Sequence, residues 1–144
     1  MVQARAEYYK GKAADLLIGT EAYHHIPDNE KKRFFENQFR HLKNNGFLII
    51  GDNFLPYHGK EEDSIRALNR FWVPYIKTKE KKAKTSKTFK EAMQCAKEGR
   101  VEYKTCRAIM EKCAEDAGFR IIEYIELTKG IDDKGGYAVY VLSR

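Results

Sequence analysis

Asp52 and Asn53 leave the apolar run Phe47–Ile50 in the stretch QFRHLKNNGFLIIGDN, residues 38–53. In open α/β sheets ligands sit at the carboxyl ends of strands, so a carboxylate and an amide at such an exit could line a substrate pocket. The same two residues could instead cap a following helix. Tyr57 and His58 come just after them and could act on a substrate hydroxyl, because an imidazole titrates close enough to neutrality to serve as a general base. The cysteines, Cys95, Cys106 and Cys113, are odd in number and lack a Cys-x-x-Cys spacing. A disulfide framework and a zinc site are therefore not expected, and no metal site is assigned. Cys106 and Cys113 share a helical stripe with Ile109, Met110 and Ala117, and read as small core residues.

The elements around these groups follow from apolar spacing. ADLLIGT (14–20) and FLIIGDN (47–53) are apolar runs without alternation, which predicts strands covered on both faces, as in a parallel sheet. Between them, NEKKRFFENQFRHLK places Phe35, Phe39 and Leu42 on one stripe with Phe34 beside it, and predicts an amphipathic helix. Asp28 stands where an N-cap would, and Asn45-Gly46 where a left-handed stop would. Strand, helix, strand with short joints is a βαβ unit with a right-handed crossover. Residues 54–76 read as a loop and an aromatic-rich helix interrupted near Pro74. From about residue 101 a patterned helix runs to Gly118. Residues 120–130 and 135–144 then read as two antiparallel strands joined by a short turn. The expected order is β-α-β-(α, basic segment)-α-β-β, a partial Rossmann-like α/β sheet flanked by helices.

This order, with the words ADLLIGTEAYHHIPDNEKKRFFENQFRHLKNNGFLIIGDN and AEDAGFRIIE, resembles the carboxy-terminal half of a class I S-adenosylmethionine-dependent methyltransferase. The resemblance covers residues 14 to about 144. It implies a strand order of 4-5-7-6 in the family's naming, with the last-formed strand antiparallel. It also implies S-adenosylmethionine as cofactor, lying across the carboxyl ends of the strands where the sheet order reverses. On the same grounds Gly19, Thr20 and Glu21 would stand near the methionine portion of the cofactor. His24 and His25 match a paired-histidine region, with His25 a candidate for catalysis beside Tyr57 and His58. Asp52, Asn53 and Trp72 are candidates for a substrate pocket. The aromatics Phe71, Trp72 and Tyr75 would form a lid or a core patch. The family's glycine-rich loop has no counterpart among the ten glycines, which include no Gly-x-Gly. Weak or no cofactor binding is therefore expected of this chain alone.

Composition bounds the remainder. At 144 residues, 42% hydrophobic and 33% charged, the chain fits one globular domain. No apolar run approaches the roughly 20 residues of a membrane span, and residues 1–12 lack the apolar core of a secretory signal, so a cytoplasmic location is expected. The formal charge of +6 resides in KTKEKKAKTSKTFK, residues 77–90, where seven lysines meet one glutamate. That segment is read as a basic insertion, solvated or anion-binding, on an otherwise balanced chain, which does not describe a nucleic-acid binder. A strand at 14–20 lacking a neighbour on one side would be a template for a homodimer or for a chain carrying the missing half. Two functions fit: a methyltransferase acting on a small molecule, and a non-catalytic half-domain serving as a structural or regulatory partner.

Overall fold

A computed structural model describes residues 6–58, 66–68, 70, 71, 94, 98 and 103–144. Four strands form one mixed sheet: β1 (Ala14–Thr20), β2 (Leu42–Phe54), β3 (Arg120–Glu126) and β4 (Gly136–Ser143), in spatial order β1-β2-β4-β3. β1 and β2 run parallel, joined by α1 (Lys31–His41), while β4 runs antiparallel to both β2 and β3. α2 (Arg107–Asp116) leads into β3, and α3 (Ile131–Lys134) turns the chain from β3 to β4 between two left-handed glycines, Gly130 and Gly135. The expected βαβ unit and antiparallel pair are both present. Residues 66–68, 70 and 71 are helical. Trp72, Tyr75, Cys95 and the lysine segment 77–90 lie outside the described residues.

One face of the sheet carries the core. Register places Leu17, Leu48, Ile50, Tyr140 and Leu142 on that face, against Phe34 and Phe35 of α1 and Met110 and Ala114 of α2. The rings of Phe35 and Phe39 both meet Phe119 edge-on, at 6.0 and 5.3 Å, which locks α1 to the entry of β3. Cys106 is buried and Cys113 packs against this core, where burial pushes its thiol up and keeps it inert.

The opposite face departs from the expectation of strands covered on both sides. Leu16, Ile18 and Phe47 on that face are 48%, 65% and 42% exposed, and Ile125 on β3 is 40% exposed. Non-alternating apolar strands show that both faces suit apolar surroundings, but only one face is covered by the helices described. Two local readings also change. Asp28 caps nothing: the residue preceding α1 is Glu30, which makes no side-chain cap, and Asp28 instead accepts from Lys31 Nζ at 2.5 Å. Asn45, in the left-handed region at φ 64°, stands inside β2 rather than ending α1. The ladder with β1 pairs Ala14 with Leu42 and resumes at Leu16 with Phe47, so residues 43–46 form an irregular excursion.

Residues 6–11 run along α1. Asn37 donates to the carbonyls of Ala6 and Tyr9 at 2.8 and 3.1 Å, and the Gly11 N–H donates to His41 Nε2 at 3.2 Å. Among the described residues nothing pairs with the outer edge of β1.

Candidate functional site

The carboxyl ends of β1 and β2 lie side by side, with Thr20 opposite Gly51. The Glu21 N–H extends the ladder by donating to the Gly51 carbonyl at 2.8 Å, after which Glu21 turns into the left-handed region at φ 52°. A non-glycine residue in that region is uncommon and is held by its surroundings. Here the Asn53 side-chain amide lies 3.3 and 3.4 Å from the two Glu21 carboxylate oxygens.

Beneath this junction Asp52 is fully buried and its carboxylate is saturated. Oδ2 accepts the His24 backbone N–H at 3.0 Å. Oδ1 lies 2.6 Å from His24 Nδ1 and also accepts the Asn53 N–H at 2.7 Å. Burial pushes the carboxyl up, but the hydrogen bond and charge of His24 and the two backbone N–H groups outweigh it and hold Asp52 below its ordinary value. An ionised carboxylate must accept, so His24 carries its proton on Nδ1 and presents Nε2 as an acceptor. This is the tautomer that a general base needs.

A cavity of about 470 Å³ opens beside the outer edge of β1. Its walls are apolar, from Leu17, Phe34, Leu48 and Ile50, and its end at the strand exit carries Gly19, Glu21 and His25. A Cβ added to Gly19 would meet nothing within 4 Å, so open space lies over that backbone. His25 is exposed and stacks on the buried His24 ring at 4.0 Å between centroids.

Of the residues singled out from the sequence, Gly19, Glu21 and His25 line this cavity, and Asp52 and Asn53 lie at the same strand exit. Thr20 is exposed, and its register with Gly51 puts it on the uncovered face. Tyr57 and His58 line no part of the cavity. The Tyr57 backbone is tied to the Asp132 carbonyl at 2.7 Å and to Arg70 at 3.0 Å, and the His58 carbonyl accepts from the Cys106 thiol at 3.5 Å. Trp72 lies outside the described residues.

Two participants carry little signal in the sequence. His24, not His25, reaches Asp52, and adjacent histidines in a loop do not reveal which one turns inward. Tyr137 lays its hydroxyl 2.7 Å from where a Gly51 Cβ would be. Burial, with the charges of Glu21 and Asp52, pushes that phenol up. Gly51, a glycine inside a strand, is the readable trace of this close approach.

Glu21, His24 and Asp52 bring three ligating atoms within 4.8 Å of one another. To coordinate an ion, His24 would have to surrender the Nδ1 proton and Asp52 its hydrogen bonds, so the arrangement serves a hydrogen-bonded pair better than a metal.

Compared with known proteins, the chain is similar in structure to the mitomycin 7-O-methyltransferase MmcR, with a TM-score of 0.61, 12% identity, and coverage of 100% of this chain and 33% of that one. LepI in complex with SAM gives a TM-score of 0.58 at 13% identity, covering 97% of this chain and 29% of that one. A SAM-dependent methyltransferase from Methanosarcina mazei gives 0.58 at 14% identity, covering 98% and 65%. The chain thus spans a third or less of the length of the first two. No family model matches it, and no curated protein does. At these identities the likeness speaks for the fold: this is the α/β fold of class I S-adenosylmethionine-dependent methyltransferases. Among the described residues no helix is long and apolar enough to cross a membrane.

Proposed function

We propose that this chain supplies one wall of a small-molecule methyltransferase site that uses S-adenosylmethionine, with His24 held by Asp52 as its base. The observation that carries this reading is the double hydrogen bond between His24 and the saturated, depressed carboxylate of Asp52 at the carboxyl ends of two adjacent parallel strands. In an open α/β sheet that is where ligands lie.

The residues present fit part of the cofactor. Gly19 leaves its backbone open to a ligand, and Glu21 offers a carboxylate at the end of the same cavity. When bound, the cofactor supplies an electrophilic methyl group. The chain's own residues then orient the acceptor against the strand exit and accept its proton at His24 Nε2. Asp52 keeps Nδ1 protonated and stabilises the imidazolium, the role a carboxylate plays behind any catalytic histidine. Because proximity alone can supply much of a methyl transfer, the base accounts for only part of the rate. The apolar lining favours a flat or aliphatic acceptor. The chain binds the cofactor weakly by itself, since it lacks a Gly-x-Gly turn, and a further polypeptide would complete the opposite wall.

Thermal unfolding tests the reading. A ligand at about five times its Kd adds roughly 1 kcal/mol to stability. For a chain of this size that is about 2–4 °C in Tm. Millimolar S-adenosylmethionine should raise the Tm of the wild type, and Glu21→Lys should abolish the rise. No rise in the wild type at saturating cofactor would sink the proposal.

A further inference from the structure

The outer edge of β1 offers seven residues of backbone, Ala14–Thr20, to which nothing among the described residues is hydrogen-bonded as a strand. It contains neither proline nor lysine, the usual protections of an exposed edge. Its two ends carry opposite charge: Lys12 is exposed just before the strand and Glu21 just after it. A parallel neighbour of the same sequence would set lysine beside lysine and glutamate beside glutamate. An antiparallel neighbour related by a two-fold axis sets each Lys12 near the other chain's Glu21.

We propose that β1 pairs with β1 of a second copy of this chain, antiparallel about Leu17, to form a continuous eight-stranded sheet. The inference rests on the edge alone and stands apart from the methyltransferase reading. In this register Ala14 lies opposite Thr20 of the other copy and Leu16 opposite Ile18, so the exposed Leu16 and Ile18 gain cross-strand apolar neighbours on the uncovered face. Asp15, the charged residue within β1, faces Gly19 of the other copy and meets no like charge. Leu17, which packs against the core and lines the cavity, meets Leu17 across the axis and closes the mouth of that cavity. The interface is isologous and closes on itself, so a dimer forms and not a fibre. It also neutralises Glu21, so pairing and occupation of the cavity compete for the same strand exit.

Sedimentation equilibrium of the full chain, at 1–100 µM (roughly the range of transient interfaces of modest size), tests the proposal. The wild type should reach twice the monomer mass of 16.8 kDa within that range. Lys12→Glu and Glu21→Lys should each weaken association at least tenfold, and the double reversal should restore it to within threefold. A wild type that remains monomeric at the highest concentration overturns the proposal, and so does a dimer indifferent to both reversals. Should the charge variants fold poorly, Leu17→Cys under oxidised glutathione gives an independent answer. A covalent dimer absent from wild type and from Asp15→Cys is expected, and no Leu17→Cys cross-link would refute the register.

Discussion

His24 and Asp52, 28 residues apart in the chain, are joined twice, through the histidine's backbone N–H at 3.0 Å and its ring Nδ1 at 2.6 Å. A loop is thereby pinned to a strand by one buried carboxylate. Asp52→Asn would set an amide N–H₂ against donors that now point at oxygen. It should cost about 2–4 kcal/mol, the penalty for leaving buried polar groups unmatched. Urea unfolding of the two proteins at pH 7 measures it.

The same carboxylate predicts a pH dependence. Its folded pKa is depressed, so its contribution is fully present above the unfolded value, near 3.8, and fades as pH falls through the folded one. The stability gap between wild type and Asp52→Asn should therefore be constant from pH 7 to about 5 and shrink below about 4. A gap that shrinks near pH 6 would point to another group.

Lys31 is the second buried charge. It is 1% exposed, and its ammonium donates to the carbonyls of Ile26 and Tyr103 and to Asp28. Burial pulls its pKa down despite Asp28. Lys31→Ala should cost about 2–4 kcal/mol by opening a cavity and stranding two buried carbonyls. In the wild type the unfolded chain holds this proton more tightly. Stability should therefore rise with pH over the interval between the depressed folded pKa and 10.5. Denaturation between pH 8 and 10.5, compared with Lys31→Met, isolates this term.

Two glycines separate fold from site. Gly118 lies at φ +100°, and a Cβ there would come within 3.2 Å of the Phe39 ring. Gly118→Ala should cost about 1–3 kcal/mol. Gly19 has open space over it, so Gly19→Ala should leave stability unchanged or raise it by about 0.5 kcal/mol. It should nevertheless weaken the cofactor's effect on Tm. Calorimetric melting with and without S-adenosylmethionine reads both.

The fold was largely legible because its signals were local and redundant. Two apolar runs flank a helix striped by Phe35, Phe39 and Leu42, and a second pair of strands is separated by glycines that can turn. Those features dictate strand order and direction. Coverage was not legible, since the apolar face of Leu16, Ile18 and Phe47 is the same in sequence whether or not something packs on it. The candidate site was half legible. Asp52 and Asn53 could be read from their place at a strand exit, and Gly19 and Glu21 from the resemblance. That His24 turns inward to Asp52 depends on a loop whose path is set by Lys31 bonding to Ile26 and Tyr103. Such contacts across the chain leave no pattern in spacing. Tyr57 and His58, reactive in type, are drawn instead to Asp132 and Cys106.

The central claim, that the exit of β1 and β2 is a cofactor and acceptor site, is tested most directly by amide chemical shifts of the chain titrated with S-adenosylhomocysteine. The account predicts weak, saturable shifts, with a Kd above about 0.1 mM and so under roughly 5.5 kcal/mol of binding free energy, centred on Gly19–Glu21, His24, His25, Asp52 and Asn53. The absence of shifts at millimolar ligand, or shifts centred on α2 and α3, would contradict it.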